Sequence, residues 1–176
     1  MCVFVAFESF LFHGLFAYVG VYMFELYEFS FTVIGLCLAG FGVGGFIYSL
    51  SVKRLMASAG QTGIVYAGGA LLMVGYLLMA WWPHAWAMFP LVCLLGFGFY
   101  GLHNTMQTYA TEMAPGARGA GVALFAFALF FAQALGVMVF GQLIETVGFG
   151  VLFVSCAFGL LVLSLAFGQW IGRRSR

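Results

Sequence analysis

The sequence predicts an all-α membrane protein of six transmembrane helices, arranged as two three-helix repeats of opposite orientation. Three observations predict it. The composition cannot clothe a water-soluble globule, six apolar runs have membrane-spanning length, and charge is segregated between alternate connecting loops.

The chain has 176 residues, 65% hydrophobic and 6% charged, with a mean hydropathy of +1.12. Soluble domains carry about 25% charged residues, so too little polar surface is available here to face water. That excludes a soluble enzyme, a nucleic-acid binder, a disordered chain and a secreted disulfide scaffold. Six basic and five acidic residues leave a net charge of +1, which points to no charged partner. Cys2, Cys37, Cys93 and Cys156 stand singly in apolar stretches. They read as small hydrophobes within helices, and neither a metal site nor a cofactor motif is present.

A helix needs about 20 apolar residues to cross the hydrocarbon core. Six runs qualify, at roughly 2–24, 31–50, 63–82, 86–108, 119–141 and 148–171, within a single bundle. The first lacks a basic n-region and is too long for a signal peptide. The second follows the acidic Glu25 to Ser30 stretch, and the polar Ser51 to Thr62 stretch closes it. The third and fourth are divided at Trp82-Pro83-His84, the fourth and fifth by Pro115 and Gly116, and the fifth and sixth between Gln142 and Gly148.

Lys53, Arg54 and Arg118, with Arg173, Arg174 and Arg176 at the tail, then fall on one side. Glu25, Glu28 and Glu145 fall on the other, with no Lys or Arg. Basic residues are retained in the cytoplasm, so both termini are expected there, in a plasma or bacterial inner membrane. Trp81, Trp82, Trp86 and Trp170 sit near predicted span ends, where interfacial tryptophans gather. The first span alone has no basic inward flank, which suggests that further chain precedes Met1.

Between helices already in lipid, close packing comes from small residues and interhelical hydrogen bonds. The second span carries Gly40 and Gly44 four apart, and the fifth carries Ala128, Ala132 and Gly136 on one face. Three spans followed by three more place the second triplet upside down relative to the first, a recurrent basis of secondary transporters. No residue-level repeat accompanies this, so the inverted repeat rests on topology alone.

Ionisable groups inside a span default to a functional reading. The first span holds Glu8 and His13. The fourth carries Tyr100, His103, Asn104 and Gln107 on one helical face, and the fifth adds Gln133. At 1.5 Å per residue Glu8 lies about 10 Å inside the membrane, at a depth similar to that of His103. A polar cavity between these two spans is therefore expected. A carboxylate kept from solvent can bind and release a proton near neutrality, as a proton-coupled carrier requires. His13 lies about 140° around the helix from Glu8, and a hydrogen-bonded packing role suits it equally. Wetting by nearby headgroups is the plainer account of the fourth-span stripe, and snorkelling that of Glu8.

The segment Glu112-Met-Ala-Pro115-Gly-Ala-Arg118-Gly119 resembles a cytoplasmic loop of the major facilitator superfamily. Gly40 to Gly60, with Lys53-Arg54, stands where that family carries a second loop signature. The basic pair remains, but the acidic residue is replaced and the glycine comes late. The fourth span also lacks the arginine common in the family's N-terminal half. The resemblance thus implies the C-terminal six helices of a twelve-helix carrier of the drug or metabolite exporter type. It implies that the first and fourth spans line the central cavity. Lys53, Arg54, Glu112 and Arg118 become candidates for a cytoplasmic gate, although Lys53 and Arg54 equally serve as topology determinants.

The expected function is proton-coupled efflux of a small amphipathic molecule by alternating access. The expected partners are the lipid bilayer, the substrate, protons and a second six-helix bundle. That bundle is the N-terminal half of a longer chain, a separate polypeptide or a second copy. The alternative is a six-helix interaction or regulatory subunit, or a non-functional fragment, without transport. An intramembrane hydrolase lacks its nucleophile motif, so no enzymatic activity is expected.

Overall fold

The computed structural model describes residues 1–81, 84–112 and 116–174, and among them no strand occurs. Expectations that rest on Trp82, Pro83, Pro115 and Arg176 fall outside the described residues. The elements are α1 (Cys2–Phe16), α2 (Val19–Tyr27), α3 (Phe31–Trp81), a 3₁₀ turn (Ala85–Ala87), α4 (Met88–Glu112) and α5 (Arg118–Arg174). Four stretches are long and apolar enough to cross a bilayer: Cys2–Tyr27, Phe31–Trp81, Ala85–Glu112 and Arg118–Arg174.

Drawn straight, the 51 residues of α3 would extend about 75 Å, more than twice the hydrocarbon thickness. The helix instead reverses at Gly60, where φ is 64° and ψ −178°. That region of backbone space is essentially open to glycine alone. Contacts with α4 trace the reversal. Before the turn, Gly40 faces Phe89 and Tyr48 faces Phe97, both numbers rising together. After it, Gly68 faces Gly98 and Gly75 faces Leu95, so the order falls. Helix α5 reverses in the same way at Gly148 (φ 76°, ψ 166°). Its first arm climbs beside α1, with Gly136 against Phe10 and Gly141 against Tyr18. Its second arm descends, with Gly159 against Leu11 and Trp170 against Phe4.

Two features differ from what polarity alone suggests. The Ser51 to Thr62 stretch is helical up to the Gly60 turn rather than a loop. Its Lys, Arg, Leu, Met and Ala residues are good helix formers, so leaving the apolar phase does not unwind them. The first span is broken, with α1 ending before Ala17 and Tyr18 and α2 resuming at Val19. At the break Tyr18 donates its hydroxyl to the Val137 carbonyl of α5 at 2.8 Å. Ser30 opens α3, accepting the Val33 amide on its hydroxyl oxygen as a helix cap.

Helix α1 packs chiefly against α5, and α4 chiefly against α3. Each of these seams contains a small-residue stripe. Gly40 and Gly44 lie against α4, where a Cβ on Gly44 would strike the Cys93 carbonyl oxygen and approach the Phe97 amide to 2.7 Å. Ala132 and Gly136 are buried on α5, and a Cβ on Gly136 would stand 2.5 Å from the Phe10 carbonyl oxygen. Aromatic rings close the centre: Phe12 stacks on Phe99 at 4.7 Å and Tyr76 on Phe153 at 5.6 Å. Two buried hydroxyls tie helices together, Tyr76 donating to the Phe12 carbonyl and Tyr22 to that of Met79.

Candidate functional site

Helix α1 carries Glu8 on the side that meets α4, and its carboxylate is fully buried. Oε2 lies 2.7 Å from Nδ1 of His103 on α4. The distance is that of a charge-assisted hydrogen bond, and no other ion pair occurs among the described residues. The second carboxylate oxygen, Oε1, has no hydrogen-bond partner among the described residues. The His103 side chain retains 12% of its surface exposed, so the imidazole is the wetter end of the pair.

Aromatic residues hold the imidazole in place. Phe99, one turn earlier on α4, stacks on it at 4.8 Å with the planes 17° apart. Phe125, from α5, sits 5.6 Å away on another side. His13 and Phe99 meet with their planes nearly perpendicular, ring centroids 4.9 Å apart, so both imidazoles contact the same phenylalanine. His13 is itself hydrogen-bonded one turn back, Nδ1 to the Ser9 hydroxyl at 3.2 Å. The arrangement is suited to passing a proton between one carboxylate and one imidazole in a nearly dry surrounding. It is not suited to metal chelation, because no cluster of three His, Cys, Asp or Glu side chains occurs among the described residues.

The rest of the fourth-span stripe points elsewhere. Tyr100 packs on Phe41 at 5.6 Å and covers Gly45 of α3. Asn104 lines a separate cleft of about 310 Å³ with Tyr48, Ser49, Gln61 and Thr108. Gln107 is exposed and Gln133 half-buried, and neither hydrogen-bonds to the pair among the described residues. Glu8 is buried rather than lining an open cavity, and Phe99 and Phe125 pack against its His103 partner. Lys53, Arg54, Glu112 and Arg118 are all exposed and form no ion pair with one another among the described residues.

Sequence reasoning passed over the two phenylalanines. Phe99 was findable, since it stands four residues before His103 on the same helix face. Phe125 carries no local signal, because only the α4–α5 crossing brings it near.

No known protein family and no curated protein matches the sequence. Among solved structures, the chain is similar to the peptide transporter POT, crystallised as a mutant in complex with alafosfalin. The TM-score is 0.72 at 21% sequence identity, over 96% of this chain and 37% of the transporter. At that identity the likeness establishes fold alone. The chain is an integral membrane protein, helical throughout the elements of its described residues, with a transporter-like fold that spans 37% of the length of the transporter it matches.

Proposed function

We propose that this chain forms the C-terminal half of a secondary carrier of the major facilitator type, with Glu8 and His103 as its proton-handling pair. In this reading the hairpins at Gly60 and Gly148 make six crossings, arranged as two inverted triplets. The α1–α4 side is one wall of the transport path. A longer parent chain, a separate polypeptide or a second copy supplies the opposite wall, and the two rock against each other to move a small amphipathic molecule outward. The gathering of Lys53, Arg54, Arg118 and the tail arginines on one set of alternate connections supports a cytoplasmic placement of that end. Exposed Lys53, Arg54, Glu112 and Arg118 are then free to pair with the opposite bundle when the inner end closes.

The observation that carries the reading is the Glu8–His103 bond across α1 and α4. A buried ion pair is seldom worth more to stability than apolar side chains of the same volume, and intramembrane carboxylates usually mark ion or substrate pathways. Protons would reach Glu8 through the exposed edge of His103. The test is a pH-gradient-driven flux in proteoliposomes holding the complete carrier, this chain together with its second bundle, with ethidium as one probe and a fluorescent dipeptide as the second, because the matched structure is a peptide transporter. Glu8→Gln should abolish the gradient dependence while leaving the helical content unchanged. Unaltered flux in that variant refutes the assignment.

The complete burial of Glu8 favours a second reading, an interaction or regulatory subunit in which the pair only fastens α1 to α4. That reading expects Glu8→Gln to weaken assembly and to leave transport by the assembled carrier intact.

A further inference from the structure

Helix α1 holds one ionisable side chain that the Glu8–His103 pair leaves without a role. His13 stands five residues after Glu8, about 7.5 Å further along the helix towards α2. It is half-buried, and its Nδ1 lies 3.2 Å from the hydroxyl of Ser9, which is itself fully buried. Its Nε2 makes no hydrogen bond among the described residues. Ser9 behaves unlike its counterparts on the other helices. Ser49, Ser51, Thr105, Thr108, Ser155 and Ser164 each donate to a carbonyl three or four residues earlier, the usual outlet for a hydroxyl within a helix. Ser9 faces an imidazole instead.

That choice of partner has a chemical consequence. A hydroxyl can donate to a neutral ring nitrogen or accept from a protonated one, whereas a carbonyl or carboxylate oxygen only accepts. His13 can therefore gain or lose a proton without stranding a buried polar atom, which would otherwise be costly. Phe99 of α4 touches both imidazoles, stacking on His103 at 4.8 Å and meeting His13 nearly at right angles at 4.9 Å. The ionisable groups nearest His13 are Glu8 on its own helix and His103 on α4. From α3 comes the Tyr76 phenol, committed to the Phe12 carbonyl, and from α5 the Cys156 thiol beside Tyr76. Among the described residues the remaining charged side chains stand towards the two ends of the bundle.

We propose that His13, held by Ser9, is a second proton site, through which protons pass from the outer side of the membrane to the Glu8–His103 pair. The proposal rests on the reading of that pair as proton-handling and adds the route by which it is loaded. One proton moves in the step. The His13 imidazolium releases it from Nε2 and becomes neutral, its Nδ1–H remaining on the Ser9 oxygen. His103 takes it on the ring nitrogen that does not face Glu8, and the Nδ1 proton of His103 is then available to the carboxylate. Phe99 is a positioning residue that holds both rings and carries no proton itself.

The experiment is ethidium flux in proteoliposomes holding the complete carrier, this chain together with its second bundle, with the pH on the carrier's inner and outer sides set independently. The parent should respond to both. His13→Gln keeps hydrogen-bonding groups at the position but cannot titrate, so it should lose the response to outer pH and keep the response to inner pH. Ser9→Ala retains the imidazole and removes its partner, so it should shift the midpoint of the outer response alone. It also keeps the test decisive if the glutamine variant fails to fold. An outer response unchanged by both substitutions overturns the proposal. So does a loss of flux that is equal at every pH on both sides, the mark of a packing role. Loss of gradient dependence in Glu8→Gln with none of these changes in the His13 and Ser9 variants leaves the pair standing and removes the second site. Gradient dependence that persists in Glu8→Gln removes both.

Discussion

Replacing Gly44 with alanine tests the packing of α3 on α4 with a single methyl group. Its Cβ would strike the Cys93 carbonyl oxygen and lie 2.7 Å from the Phe97 amide and 2.9 Å from the Cys93 carbonyl carbon. All three are backbone atoms of a helix, so no side chain can rotate away. The two helices must separate by roughly an ångström to regain ordinary contact, which forfeits part of the dispersion energy along the seam. Overpacking of this kind costs about 1–3 kcal/mol. Gly42, two residues earlier on α3, serves as the control, because a methyl group there would have nothing within 4 Å. At that position the substitution should gain up to about 1 kcal/mol of helix propensity. Thermal unfolding in detergent, followed by circular dichroism, should therefore show Gly44→Ala about 4–8 °C below the parent. Gly42→Ala should stand level with the parent or above it. If the two variants melt together, the close approach of α3 to α4 is wrong, and the placement of His103 relative to Glu8 fails with it.

Two further outcomes follow from buried chemistry and from backbone conformation. Removing either partner of the Glu8–His103 pair strands the other in a low-dielectric interior, so Glu8→Leu or His103→Leu alone should cost about 3 kcal/mol. The double substitution should recover most of that, and additive losses in a denaturation cycle would show that the two side chains are not coupled. Gly148→Ala forces a methyl-bearing residue to φ 76° and ψ 166°, a strain of about 1–3 kcal/mol. It should loosen the turn between the arms of α5, read as faster proteolysis near residue 148, whereas Gly150→Ala, a helical position with open space around it, should not.

The helical, membrane-spanning character of the chain was legible because it depends on composition and run length, which are local quantities. The polar content of α1 and α4 was legible for the same reason. Glu8 and His103 stood out on separate spans, but their 2.7 Å bond is set by the angle at which α1 crosses α4. No single-helix periodicity contains that angle. Asn104, one residue and about 100° further round α4, faces the cleft beside α3 while His103 faces α1. The break at Ala17 and Tyr18 escaped notice because neither residue is a helix breaker. Beside it the Tyr18 hydroxyl reaches Val137, a contact far away in sequence. The turn at Gly60 was hidden behind a preceding run of residues that polarity assigned to a loop, although only the glycine permits the reversal.

The exchanged packing of the helices has a consequence for how the protein comes to be. Helix α1 ends at Phe16 and the first residue of its chief neighbour, α5, is Arg118. At about 5–20 residues per second of synthesis, α1 waits several seconds or more in the bilayer before that neighbour emerges from the ribosome. Its carboxylate gains the His103 partner earlier, when α4 is made, but the Phe125 side of the pair is closed only by α5. Insertion machinery or a chaperone that holds α1 until α5 has emerged would therefore raise the yield of correctly assembled protein.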